Sequence, residues 1–197
     1  MGYRISWLAG EGIGRERLLA ALDLSDTGEP DEANEATFSV ADLPTGWTVL
    51  WANDEEYANE ARGAELSRNR FRTIAVHVNE TCMHSTAALF ENGQRYWRLH
   101  HEGDERIDVL EAEGFLPDEA GEIEKIARAQ QAEENAGSAK VDYLFDIPLN
   151  VAKTVCGYKH DQWRFDWGEP SFTVAVAGRF PTKQPRSGLL GQLFGRT

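Results

Sequence analysis

Apolar and polar positions alternate most cleanly between residues 72 and 102. Ile74, Val76 and Val78 share one face of a strand over 72–79, and two further β-rich runs, 82–91 and 94–102, follow it. Asn92-Gly93 joins those two runs. Both central positions of a type I′ turn need positive φ, so this dipeptide predicts a tight hairpin. A three-strand antiparallel core over 73–102 is the firmest expectation, and 106–113 reads as a further strand.

Outside this core the pattern is mixed. Residues 3–9 read as a strand, with Ile5 and Trp7 alternating with Arg4 and Ser6. Leu18, Leu19 and Leu22 stripe a short helix over 15–24, and residues 25–36 read as a polar loop. Residues 37–40 and 47–52 are β-rich, and a helix over 55–68 is capped by Asn53 or Asp54. A thin stripe of Ile123, Ile126 and Ala127 places an acidic helix to about 134 at the periphery. Leu149, Ala152, Val155 and Cys156 form a helix opened by Asp146 and closed at Gly157. Residues 171–177 read as a last strand. Strands clustered mid-chain, without regular β-α alternation, predict an α+β fold. It has a mainly antiparallel sheet, a central meander over about 72–113 and three to four peripheral helices. Residues 1–180 read as one acidic domain and 181–197 as a basic, Gly/Pro-containing tail.

Charge sharpens that division. The net charge is −13, yet residues 178–197 hold Arg179, Lys183, Arg186 and Arg196 and no acid, which leaves −17 on the rest. Such a body repels phosphate backbones, so the main domain is not expected to bind nucleic acid, whereas a basic protein partner is attracted. No apolar run is long enough for a spanning helix, no secretory signal opens the chain, and two cysteines make no disulfide framework. The cytoplasm is the expected compartment.

Candidate chemistry is sparse. Gly10, Gly12 and Gly14 follow a strand and precede a helix, but position 15 is Arg and no Gly-Lys-Ser/Thr follows, so a phosphate loop is not expected. A regular hairpin pairs Ala88 with Trp97, Thr86 with Leu99, Ser85 with His100 and His84 with His101. Cys82, His84 and His101 then converge on one face as a candidate zinc set, with His77 and Glu80 as candidate fourth ligands. The same set allows Cys82 as a nucleophile beside a histidine base. A single bulge would scatter it, and histidines at strand ends are often merely solvated. Trp163, Phe165 and Trp167 alternate as if on one strand face, and with Trp47, Trp51, Tyr96 and Trp97 they are candidates for a ligand or partner surface as well as for core. Leu189, Leu190, Leu193 and Phe194 give the tail a short amphipathic end, suited to a partner groove or to homo-oligomer contacts. The functional expectation is therefore a non-enzymatic protein acting through protein contacts: a regulator, an adaptor or an immunity-type inhibitor of a basic partner. The alternative is a small-molecule- or zinc-binding enzyme using Cys82, His84 and His101.

Overall fold

The computed structural model describes residues 2–68, 70–136 and 141–178. The hydrophobic tail residues Leu189, Leu190, Leu193 and Phe194 lie outside them.

Among the described residues fourteen elements follow one another: β1 (Arg4–Glu11), α1 (Arg15–Ala21), β2 (Leu24–Pro30), β3 (Phe38–Asp42), β4 (Trp47–Ala52), α2 (Glu60–Ser67), β5 (Thr73–Asn79), β6 (His84–Glu91), β7 (Gln94–Glu102), α3 (Gly103–Arg106), β8 (Leu110–Gly114), α4 (Ala120–Glu134), α5 (Asp146–Cys156) and β9 (Thr173–Ala177). The strands form one nine-stranded sheet in the order β2-β9-β3-β4-β1-β5-β6-β7-β8, and every neighbouring pair is antiparallel. The α+β class and antiparallel sheet expected from the sequence are thus present. The middle strand is β1, and the β5–β7 meander lies to one side of it.

Both faces of the sheet are covered. Trp7, Val49, Val76, Ala87, Leu89, Trp97 and Leu99 pack with α4 and α5 in one layer. Leu8, Leu50, Ala75, Ala88 and Phe90 pack with α1 and α2 in the other. A central strand covered twice is apolar on both sides, and Ile5 to Gly10 are all buried. Helix α5 is no peripheral element. Its Leu149, Val151 and Ala152 are fully buried beneath α4 and against β6, β7 and β5. Burial of a Val or Leu side chain contributes about 1.5–3 kcal/mol, so this short helix closes the larger core.

Three local readings are corrected. Residues 24–30 are an edge strand rather than loop, because an edge that pairs only with β9 tolerates polar side chains and Pro30. Residues 161–168 form no strand, only an isolated bridge between Phe165 and Gly168. Helix α2 begins at Glu60, where the Asn59 side chain accepts from Arg62 N–H at 3.0 Å.

The hairpin carries the correction that matters for chemistry. Asn92 and Gly93 have φ of 52° and 80°, as a type I′ turn requires. Glu91 faces Gln94 and Phe90 faces Arg95, but Leu89 then faces Trp97, leaving Tyr96 as an extra residue. Beyond this bulge Ala88 faces Arg98, Thr86 faces His100, Ser85 faces His101 and His84 faces Glu102. The cause is hydrophobic. A regular hairpin would set Trp97 and Leu99 on the α2 side and turn Arg98 into the layer under α5. The bulge keeps Leu89–Trp97 and Ala87–Leu99 as pairs within that deeper layer.

Gly63 shows how closely α2 approaches the sheet. A Cβ there would lie 2.8 Å from the Phe90 ring and 3.1 Å from the Ala75 Cβ. Gly63→Ala is expected to cost a net 1–2 kcal/mol or so, overpacking outweighing the gain in helix propensity. A urea titration showing equal or greater stability would contradict this close fit.

Candidate functional site

On the α2 face, β5, β6 and β7 place polar residues in three cross-strand rows. Asn79, His84 and Glu102 form one row, His77, Thr86 and His100 the next, and Ala75, Ala88 and Arg98 the third. Helix α2 covers the third row and leaves the first two open. The segment preceding α2 is tied down by Ser6, whose hydroxyl donates to the Asp54 carbonyl at 2.6 Å and accepts from Ala58 N–H at 2.9 Å. A cleft of about 210 Å³ results, with His77, His84, Thr86, Arg98 and His100 inside and Glu55, Glu56 and Glu60 on the α2 side.

Distances inside the cleft are short. His84 Nε2 lies 3.3 Å from His100 Nδ1, and the Thr86 hydroxyl lies 2.8 Å from the same Nδ1. His100 Nε2 lies 3.1 Å from a Glu102 oxygen. The His77 ring leans on that of His84, centroids 4.5 Å apart and 34° between planes. Its Nε2 is buried and has no hydrogen-bond partner among the described residues. Ligand atoms of His84, His100 and Glu102 all lie within 4.8 Å of one another.

His84 and His100 are uncharged at neutral pH. Burial, followed by the neighbouring His77 and His100, pushes His84 down to about 4. Burial and then the Arg98 charge also lower His100. The Glu102 contact is therefore that of a neutral imidazole with a carboxylate, not an ion pair. Arg98 is itself held by Glu60 at 2.9 Å, with Glu113 at 3.4 Å, and Glu55 is held ionised chiefly by its hydrogen bond to Arg4.

The predicted set of Cys82, His84 and His101 does not assemble. His101 sits on the opposite face, fully buried, with Nδ1 2.7 Å from the Val109 carbonyl and Nε2 2.8 Å from Asp142. Cys82 precedes β6 in a turn where Met83 has a φ of 51°, and its sulfur contacts the Asn79 carbonyl at 3.9 Å. Of the fourth-ligand candidates, His77 is in the cleft, whereas Glu80 accepts from Tyr3 N–H and lies 3.9 Å from His160. Of the aromatic candidates, Trp47, Trp51 and Trp97 are core. Phe165 and Trp167 stack with centroids 4.7 Å apart, and Trp167 Nε1 donates to the Gly157 carbonyl. Tyr96 and Trp163 are exposed, Trp163 at 70%. A regular hairpin turns His100 and Glu102 to the opposite face, and only the bulge at Tyr96 brings them into the cleft.

Comparison of the chain with protein-family models, characterised proteins and solved structures finds no match. Among the described residues no helix is long and apolar enough to cross a membrane.

Proposed function

We propose that the protein binds a divalent transition-metal ion of the zinc class, held between His84 Nε2 and His100 Nδ1 on the floor of the β5–β7 cleft. The observation that carries this reading is the 3.3 Å separation of the two nitrogens. With zinc–nitrogen bonds of about 2.0–2.1 Å, tetrahedral geometry sets two ligand nitrogens about 3.4 Å apart. The spacing already matches, and both rings are neutral, the state that ligation requires. Imidazole ligands suit zinc and its neighbours better than magnesium or calcium, which prefer oxygen. Zinc, the alternative that the sequence offered beside a cofactor-free protein acting through protein contacts, is taken up here with a changed ligand set: His84 stays, and His100 replaces Cys82 and His101.

Equilibrium dialysis of untagged, metal-stripped protein against Zn²⁺ tests this. One equivalent is expected on the wild type and none above background on a His84→Ala, His100→Ala double variant. Equal binding by the two proteins would show that the histidines form a hydrogen-bonded cluster and nothing more.

A basic protein partner is the second reading, supported by the −17 charge outside residues 178–197 and by the exposed Trp163. Such an association accelerates at low salt and slows steeply as salt is raised.

A further inference from the structure

We propose that the centre is a three-imidazole site: His77 is the third ligand, and Glu102 orients His100 from behind rather than touching the metal. This rests on the metal-binding reading above and goes beyond it by assigning the roles of two further residues.

The geometry of His100 separates the roles. Its two ring nitrogens point to opposite sides. Nδ1 faces His84 and Thr86, and Nε2 faces Glu102 at 3.1 Å. A cation shared with His84 must sit on the Nδ1 side. Glu102 is then placed to accept a hydrogen bond from Nε2–H, which fixes the tautomer whose Nδ1 lone pair is available to metal. A carboxylate behind a ligating histidine is the usual means of fixing its tautomer and ring orientation. Were Glu102 the ligand instead, the cation would sit at Nε2, on the side of His100 turned away from His84.

Two imidazoles alone do not complete a zinc site, since catalytic sites commonly supply three protein ligands and structural ones four. His77 is the available third. It shares the cross-strand row of Thr86 and His100 and lies one row from His84, so all three rings stand on one face of the sheet. Its Nε2 is buried without a partner among the described residues, although buried polar atoms normally have one. Its ring already leans on His84. The Nε2 stands outside the 4.8 Å set, so ligation requires the ring to turn about its side-chain torsions. The Thr86 hydroxyl, 2.8 Å from Nδ1, must give up that hydrogen bond when a cation takes the Nδ1 lone pair. A three-imidazole centre keeps one coordination position open toward the cleft, where Glu56 has no ion-pair partner among the described residues.

Zinc K-edge X-ray absorption, which counts imidazole ligands, and competitive zinc titration on the full chain test the assignment. The wild type is expected to show three imidazoles. His77→Ala and His77→Gln should both show two and bind zinc at least 100-fold more weakly. Glu102→Gln should keep three imidazoles while losing about 10- to 100-fold in affinity. Circular dichroism of each metal-free variant verifies folding, and two variants at position 77 separate ligand loss from a packing defect. If His77 variants keep the wild-type imidazole count and affinity, His77 is no ligand and the proposal falls while the metal reading stands. If Glu102→Gln removes an oxygen ligand with the imidazole count unchanged, the orienting role falls. A wild type without zinc overturns both readings.

Discussion

Saturating Zn²⁺ raises the unfolding temperature of the wild-type protein by about 5–11 °C and that of His84→Ala hardly at all. The magnitude follows from linkage. A ligand that binds only the folded state, at a free concentration of 100 times Kd, stabilises by about 2.7 kcal/mol. In a domain of this size 1 kcal/mol moves the transition by roughly 2–4 °C. The folded state binds selectively because the sheet brings together ligands from β6 and β7 that the unfolded chain holds apart. His84 is the right residue to remove. It touches both other imidazoles and is half-exposed at the start of β6, so its truncation leaves little core behind. Differential scanning fluorimetry with stripped protein, with and without zinc, gives the comparison directly. A similar rise in both proteins would place the zinc elsewhere on the acidic surface. No rise in the wild type would count against metal binding in the cleft.

The sequence carried most of the sheet and half of the cleft. Where one local rule decided an element it could be read: Asn92-Gly93 fixed the turn, and Ile74, Val76 and Val78 fixed the buried face of β5. The register beyond the turn depended on something less local. Tyr96 bulges because Trp97 and Leu99 must continue the layer of Leu89 and Ala87, and that layer exists only once α5 has packed on it. Yet a trace of it was on the chain. Val76 faces Ala87 and Ala87 faces Leu99, so extending the apolar row across three strands would have required the bulge and exchanged His101 for His100. A one-residue slip moves every side chain to the other face, so a regular register puts the two adjacent histidines on the wrong sides. Strand β2 was less legible, since Leu24 is its sole buried residue. The alternating Trp163, Phe165 and Trp167 misled in the opposite direction. Their spacing suits a strand, but the backbone turns back on itself between Phe165 and Gly168 to stack Phe165 on Trp167.

The residue the bulge sends to the far side supports the second large expectation: Asp142→Ala destabilises the protein by about 3–5 kcal/mol, the range for breaking a buried ion pair. His101 is fully buried, and Asp142 is nearly so at 6% side-chain exposure. Both ring nitrogens face acceptors, Val109 carbonyl at 2.7 Å and Asp142 at 2.8 Å. Two acceptors call for two N–H donors, hence an imidazolium. Burial alone, and more weakly the Arg128 charge, would lower the His101 pKa. The hydrogen bonds to Asp142 and Val109, together with the carboxylate charge, outweigh them, and the net shift is upward. Asp142 also accepts from Phe145 N–H at 3.2 Å, at the entrance to α5. Its loss therefore strands a buried cation and loosens the helix that closes the core. The sign of the pH dependence follows from the raised pKa. Stabilisation from the pair is complete below the unfolded histidine pKa of about 6.5 and is lost as pH rises through the higher folded value. His160 acts in the opposite direction: burial lowers its pKa, so its contribution erodes stability as pH falls below about 6.5. Subtracting variant from wild type removes that background. The stability difference between wild type and Asp142→Ala, measured by urea unfolding from pH 6 to pH 9, should be largest at pH 6 and shrink with rising pH. A difference below about 1 kcal/mol at pH 6, or one that grows with pH, would mean that His101 is neutral in the folded protein and that Asp142 is not its counter-ion.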